Sequence, residues 1–202
     1  MAEPVTALTD YILAGLYLLF AGRLFRRGQA RNQVSIRLAA ASFVASAATA
    51  FVGGTYHWVP NDVLWKVTVY CAGLVSFFLI AVAAYAGLKT WLRCMLLAGA
   101  AVELAVYTAW VSRHDEFRYV ICNYVVAMIV LLAVSVGSAR LRTSGSALWI
   151  MAAILVTFAG SAAQYSHLAI HRYFNHNDLY HVIQMGAVWL FYRGFQGYED
   201  RA

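Results

Sequence analysis

The chain has 202 residues, of which 62% are hydrophobic and 12% are charged, and its formal net charge is +6. An ordinary soluble domain is about 45–50% apolar and about 25% charged, so this composition argues against a soluble domain and against disorder. At about 20 apolar residues for each membrane-crossing helix, the length admits at most about seven or eight spans, and we expect no second domain. Long apolar runs without strict alternation favour helices over an outer-membrane barrel.

Apolar runs between polar breaks predict seven membrane-spanning helices within one domain, 1–202. Each run is long enough to cross about 30 Å of hydrocarbon, so we expect an all-α bundle of seven transmembrane helices. The predicted spans are about 5–25, 36–58, 62–87, 91–111, 118–138, 146–169 and 178–196.

The basic residues predict how the bundle is oriented, because cytoplasmic loops carry an excess of Lys and Arg. The connection between the first two spans contains Arg23, Arg26, Arg27, Arg31 and Arg37. If the loops alternate sides, the same side also receives Lys89, Arg93, Arg140, Arg142, Arg193 and Arg201, and the other side only Arg113, Arg118 and Arg172. We therefore expect the N-terminus outside, the C-terminus in the cytoplasm and no nucleic-acid partner.

The first two spans each carry a polar side chain near the predicted outer face. Asp10 lies about one turn inside the first span, in TALTDYILAG, and His57 lies near the end of the second, in GGTYHWVPND. Polar groups at membrane depth are costly and turn inward to partners, a cavity or a site. The alternatives are a first-turn acid favoured by the helix dipole for Asp10 and an interfacial histidine for His57.

The third and fourth spans carry further charged residues. Asp62 and Lys66 have the i,i+4 spacing of an ion pair. Glu103 lies deeper on the fourth span, so it needs a partner or a proton. The loop that follows contains His114, Asp115 and Glu116, for which we expect no special role.

The last two spans contain most of the histidines. His167 and His171 have the spacing by which two imidazoles on one helix bind one metal ion, or they are interfacial histidines. His176 precedes the seventh span on a short link. Within that span, Asn177, Asp178, His181 and Gln184 follow spacings of three and four, which predicts one polar stripe facing the bundle interior. A helix cap is the alternative for Asp178.

These residues point to a metal site at the outer face. Imidazoles and a carboxylate converging from several helices are what a zinc or similar divalent ion requires. We expect His57 and His181 as ligands, completed by His176, His171 or Asp178. Asp10 and Asp178 are the candidate catalytic carboxylates, and Asp10 would serve as general base or orient a ligand.

The segments TALTDY, GGTYHW and FNHNDLYHVIQ, in a seven-span frame, resemble the CREST superfamily. This group contains alkaline ceramidases, progestin and adiponectin receptors, lysoplasmalogenase-like proteins and Per1-type lipid-remodelling hydrolases. The segments look most similar to a family of small bacterial seven-helix proteins, which implies a bacterial cell membrane. The resemblance covers the whole chain as architecture and about twenty residues as motif.

The resemblance implies a zinc ion held by one histidine of the second span and two of the seventh, which hydrolyses lipid amides or esters. His57 matches the first of these histidines, and His181 matches the second histidine of the HxxxH motif. The chain departs from the pattern at Gly53, where the family has a serine, and at Asn177, where it has a histidine, with His176 one residue out of register.

Two functions follow as expectations. The first is a zinc-dependent membrane hydrolase acting on a lipid amide or ester near the outer face, in which the metal lowers the pKa of a bound water to about 7. The second is a binding or receptor protein whose polar outer pocket holds a lipid headgroup, a small ligand or a cation without chemistry. A haem or quinone carrier ranks lowest, because every histidine lies near one predicted interface.

Overall fold

The computed structural model describes residues 3–141, 145–171 and 174–201, without the side chains of 138–141. The described residues form seven α-helices, so the all-helical fold is confirmed. The helices are α1 (Pro4–Ala30), α2 (Val34–Trp58), α3 (Asp62–Gly87), α4 (Thr90–Val111), α5 (Arg118–Leu141), α6 (Ser146–Tyr165) and α7 (His176–Phe195). Two residues used in the orientation argument, Arg142 and Arg172, lie outside the described residues.

Six of the helices form a ring, and α4 lies outside it. Around the ring, α1 packs on α2, α2 on α3, α3 on α5, α5 on α6, α6 on α7, and α7 returns to α1. The fourth helix packs on α3 and buries only Ala100, Tyr107 and Val111. Most of its apolar surface is therefore exposed, including Trp91, Met95, Val102 and Val106.

Small residues let the ring helices approach closely, as they do in other membrane bundles. The buried face of α2 contains Ala39, Ala40, Ala47 and Ala50, and α3 buries the run from 81 to 84, which is largely alanine. Larger side chains fill the space between the helices and make one continuous core, which includes Leu24, Ile36, Met128, Leu131, Ile150, Ile154 and Phe195.

Among the described residues, the helices α1 to α6 are long and apolar enough to cross a membrane. The seventh helix is long enough but not apolar enough by the same measure, because its first half contains a polar stripe. Asp178, His181 and Gln184 are buried on that stripe, as the spacing predicted. The helix is 20 residues long, so it measures about 30 Å.

The largest differences from the predicted boundaries are at the end of α1, which continues to Ala30 rather than 25, and around the link between α6 and α7. The sixth helix ends at Tyr165 rather than 169, in a Schellman motif: Leu168 N–H donates to Ala163 O, and His167 takes a positive φ of 53°. The seventh begins at His176, because Asn175 and Asp178 form a capping box around its first turn. His176 is thus the first helical residue rather than part of the link.

The C-terminal segment closes one end of the bundle. The Asp200 carboxylate accepts the N–H groups of Val34 and Ser35 at 2.6 and 2.8 Å, so a residue 166 positions away caps the start of α2. Arg201 donates to Gly87 O at 2.7 Å, and Arg93 donates to Arg201 O. These bonds fasten the chain end to three helix termini.

Candidate functional site

A cavity of about 560 Å³ lies inside the helix ring, at the end opposite the C-terminal segment. It is lined by residues of all six ring helices, and the exposed side chains of Phe117 and Tyr165 stand at its mouth. Along α2 its wall extends from His57 to Ser46, which corresponds to roughly 16 Å of helix. The cavity therefore reaches about half of the thickness of a membrane. The deeper wall combines aliphatic and small polar side chains with the aromatic Tyr17, Tyr124 and Phe158.

The first and last helices run in the same direction and meet in a constant register. Thr6 and Thr9 each bond to a side chain 172 positions further along, on Asp178 and His181 respectively. Because both pairs of residues are separated by three positions along their own helices, each pair lies on one face. Polar side chains of α1 and α7 therefore satisfy each other inside the bundle.

Asp10 and His181 form the central contact of the cavity wall. Asp10 Oδ1 lies 3.3 Å from His181 Nε2, and both side chains are buried. The other ring nitrogen, Nδ1, lies 2.9 Å from the Thr9 hydroxyl, which itself donates to Thr6 O at 2.9 Å. A carbonyl oxygen only accepts, so the Thr9 proton is used there, and His181 Nδ1–H is the donor to Thr9.

Glycine on α2 makes room for Asp10. A Cβ atom at Gly54 would lie 2.8 Å from Asp10 Cβ and 3.1 Å from Ala7 O, so the close approach of α1 and α2 requires glycine there. At Gly53, a Cβ atom would lie 3.6 Å from Thr68 Cγ2, which is ordinary contact. Gly53 lines the cavity.

His57 lies at the rim of the same cavity rather than against Asp10. Its Nδ1 lies 3.2 Å from Glu3 Oε2, and its carbonyl accepts the Glu3 N–H at 3.1 Å. The side chains of His57 and Glu3 are 28% and 41% exposed, respectively. The structure thus brings His57, Asp10 and His181 to one cavity, with Asp10 and His181 in direct contact.

The other candidate histidines are placed differently. His176 lines the cavity, and its ring packs edge-on against His167 with 4.7 Å between centroids. His171 is exposed outside the cavity lining, and its backbone pairs with Phe174 in an isolated bridge. The expectation that His167 and His171 share one helix is wrong, because α6 ends at Tyr165.

Asp178 is 1% exposed, and its two oxygens already accept hydrogen bonds. Oδ1 accepts from the Thr6 hydroxyl at 2.8 Å, and Oδ2 accepts from Asn175 N–H at 2.8 Å in the capping box. These contacts make Asp178 a helix cap that ties α7 to α1.

The deeper polar wall contains an amide with spare hydrogen-bonding capacity. Gln184 is 4% exposed, and the Thr157 hydroxyl donates to its Oε1 at 3.4 Å. Among the described residues, its Nε2 makes no hydrogen bond of good geometry, and the Tyr180 hydroxyl is a further polar group that interacts with this amide. Because His181 and Gln184 are three residues apart, the Gln184 amide lies on the same face of α7 as the imidazole.

A family model described as Family of unknown function (DUF6962) matches residues 5–200. The chain belongs to this family. Neither a curated protein nor a solved structure matches it. The site must therefore be interpreted from its own residues.

The donors of the cavity do not form a metal centre in the described part of the chain. Within residues 3–141, 145–171 and 174–201, no group of three or more His, Cys, Asp or Glu side chains lies close enough to hold an ion. The four predicted ligands are divided: His181 contacts Asp10, His57 contacts Glu3, His176 contacts His167, and His171 lies outside the cavity.

Several functional contacts were not anticipated from the sequence. Thr6 and Thr9 share one face of α1 with Asp10, and this spacing of three and four was the available signal. Lys66 does not pair with Asp62; its ammonium contacts Asp115 at 2.6 Å and Val111 O at 2.6 Å. The last residue of α4 and the loop after it supply these acceptors.

Proposed function

We propose that this protein is an integral membrane hydrolase, in which Asp10 and His181 act as an acid–base pair on a lipid amide or ester. The observation that carries the proposal is the 3.3 Å contact between Asp10 Oδ1 and His181 Nε2 in the wall of an accessible cavity. Carboxyl and imidazole groups paired in a cavity are typical of general acid–base sites.

The hydrogen bonds around His181 define how the pair handles protons. With Nδ1–H committed to Thr9, the imidazole meets Asp10 only through Nε2. One proton is then shared between Nε2 and the carboxyl group, as imidazole with carboxylic acid or as imidazolium with carboxylate. Such a pair takes a proton from a water that attacks a carbonyl carbon, and returns a proton to the leaving amine or alcohol.

The walls of the cavity favour an amphipathic substrate. Its outer part carries histidines and Asp10, and its deeper part carries aromatic side chains together with the Gln184 amide. In this arrangement the acyl chain of the substrate occupies the deep part of the cavity. Its carbonyl group then lies near Asp10, where the polar and apolar parts of the wall meet. The Gln184 Nε2 is a donor suited to a carbonyl oxygen.

We further propose that all seven helices cross the cell membrane, with the N-terminus outside and the cavity open to the outer face. The excess of Arg and Lys at the opposite end supports this orientation. Cysteine variants at Ala2 and Ala202 test it: a membrane-impermeant thiol reagent on intact cells should label only the former, with Cys71, Cys94 and Cys122 first replaced by Ser. If only the variant at Ala202 is labelled, the orientation is the opposite of the one proposed.

Zinc, the CREST resemblance and the bacterial source remain predictions. The proposed acid–base pair does not itself require a metal. Metal analysis of protein purified without chelator tests zinc directly, since the predicted ligation requires about one ion per chain that is lost in His57→Ala and His181→Ala.

The decisive experiment measures the release of fatty acid, amine or lyso-lipid from a panel of lipid amides and esters. Wild-type protein in mild detergent should turn over at least one of them, and Asp10→Asn should lower the rate by about 10²–10⁴-fold, because it removes the shared proton. Asp62→Asn is the matched control, since it makes the same change at an exposed carboxyl of the same end.

Mass spectrometry of lipids that copurify with each variant separates the two functions expected from the sequence. Equal rates in the wild type, Asp10→Asn and Asp62→Asn would defeat the acid–base role. A bound lipid without turnover of any panel member would support a binding or receptor protein instead.

A further inference from the structure

A second polar contact lies outside the cavity, between α4 and α5. Asn123 Nδ2 donates to Glu103 Oε1 at 2.6 Å, and Asn123 is 7% exposed. Neither residue lines the cavity. Glu103 lies eight residues before the end of α4, and therefore about 12 Å along the helix from it. The pair is separate from Asp10 and His181.

Both groups of this pair have one oxygen left over. Glu103 Oε2 and Asn123 Oδ1 are shielded from solvent, and neither has a hydrogen-bond partner among the residues that the structure describes. An ionised carboxylate at membrane depth with a single donor is unfavourable, and an unpaired amide oxygen adds to the cost. One added proton changes both conditions, because it neutralises the carboxylate and supplies a donor.

The charged groups near the same ends of α3 and α5 are committed elsewhere, and the free thiols of Cys71 on α3 and Cys122 on α5 are not cations. On α4, the Tyr107 hydroxyl donates to Val69 O at 2.9 Å. On α3, Lys66 binds Asp115 and Val111 O, and on α5, Arg118 pairs with Glu116 at 2.5 Å. None of these contacts supplies a cation to Glu103.

We propose that Glu103 and Asn123 form an intramembrane proton-binding site that fastens α4 to α5. In its occupied form, Glu103 Oε2–H donates to Asn123 Oδ1 while Asn123 Nδ2–H donates to Glu103 Oε1, so that acid and amide make two bonds. The proton comes from water and returns to water. Its loss leaves a carboxylate with one donor and weakens the attachment of α4 to the ring.

Infrared difference spectra of the purified protein test the protonation state. At neutral pH, where an exposed glutamate is ionised, the wild type should show a carboxylic-acid carbonyl band that Glu103→Gln removes. Asp10→Asn distinguishes this band from any signal of the cavity pair. Asn123→Ala should shift the frequency of the Glu103 band, because the acid keeps its proton and loses its partner.

Thermal unfolding as a function of pH gives a second measurement. The folded state holds a proton that the unfolded state releases, so stability should fall as the pH rises from neutral to alkaline. This fall should be smaller in Glu103→Gln, whose amide cannot ionise. The Asp10→Asn variant should still lose stability as the pH rises, by the amount that is due to Glu103.

Two results would overturn the proposal. Absence of a band assigned to Glu103 at neutral pH, together with unchanged pH dependence in Glu103→Gln, would mean that the carboxylate is ionised. If chlorides of sodium, potassium, magnesium or calcium abolish the band and stabilise the wild type but not Glu103→Gln, the oxygens hold a metal cation instead.

Discussion

The two ends of the bundle use polar side chains in opposite ways. At the C-terminal end, carboxylate and guanidinium groups bind backbone atoms at helix termini: Asp200 caps α2, and Arg201 binds the last carbonyl of α3. At the cavity end, the groups lie inside the bundle and bind other side chains, as Asp10 binds His181. The contacts with backbone atoms hold helix termini together, whereas the contact between Asp10 and His181 places a carboxyl group and an imidazole in the wall of the cavity.

After Asp10→Asn, the largest effect is expected for the hydrogen bond that holds the His181 ring in place at the cavity end. Thr9→Val removes the acceptor of His181 Nδ1–H, so the ring loses the contact that fixes its tautomer. We expect lipid turnover to fall by about 10²-fold, the lower end of what acid–base catalysis contributes. Thr9→Ser keeps a hydroxyl group and should remain active. Equal rates for the two variants would show that the tautomer does not matter.

A smaller effect tests how closely α1 and α2 approach beside Asp10. Gly54→Ala places a methyl group 2.8 Å from Asp10 Cβ, and we expect the free energy of unfolding to fall by about 1–3 kcal/mol. Gly53→Ala is the matched control, since its methyl group meets only ordinary contact and its helix propensity improves by up to about 1 kcal/mol. Thermal unfolding in detergent measures both, and equal midpoints would contradict the close approach.

The smallest effect concerns the closed end. Asp200→Ala removes the cap of α2 and should cost about 0.5–2 kcal/mol of stability, with turnover per folded molecule unchanged. Glu199→Gln weakens an exposed pair with Arg31 and should cost less than about 1 kcal/mol. Thermal unfolding and turnover are measured on the same preparations. A specific loss of turnover in Asp200→Ala would show that the two ends are coupled.

Much of the fold was predictable because hydrophobic runs and turn residues act locally. The seven helices agree with the predicted spans, most closely for α3, whose bounds of 62 and 87 coincide. The largest errors are at the end of α1, which continues five residues past 25, and at the end of α6, which stops four residues before 169. At the end of α6 the chain leaves the helix through the positive φ of His167, a conformation for which glycine is the usual signal.

The candidate site was only partly predictable, because its contacts join residues distant in sequence. Spacing placed Asp178, His181 and Gln184 on one buried face, and burial in lipid explained why it turns inward. Spacing alone did not show that the Asp178 carboxylate would accept hydrogen bonds from Thr6 and Asn175. It also did not show that the His57 ring would contact the Glu3 carboxylate. The predicted pair of Asp62 and Lys66 failed for the same reason, since Asp115 approaches through tertiary folding.

The sequence by itself determined an all-helical, strongly apolar chain, with its histidines near one end of the bundle and most of its Lys and Arg residues near the other. These properties depend on composition and on helical periodicity, which each segment carries alone. Only the tertiary structure decided that α4 lies outside the ring and that α1 and α7 share a register of 172 residues. The same packing set Asp10 against His181, because the partner of a buried polar group is whichever complementary group the assembled bundle places within hydrogen-bonding distance.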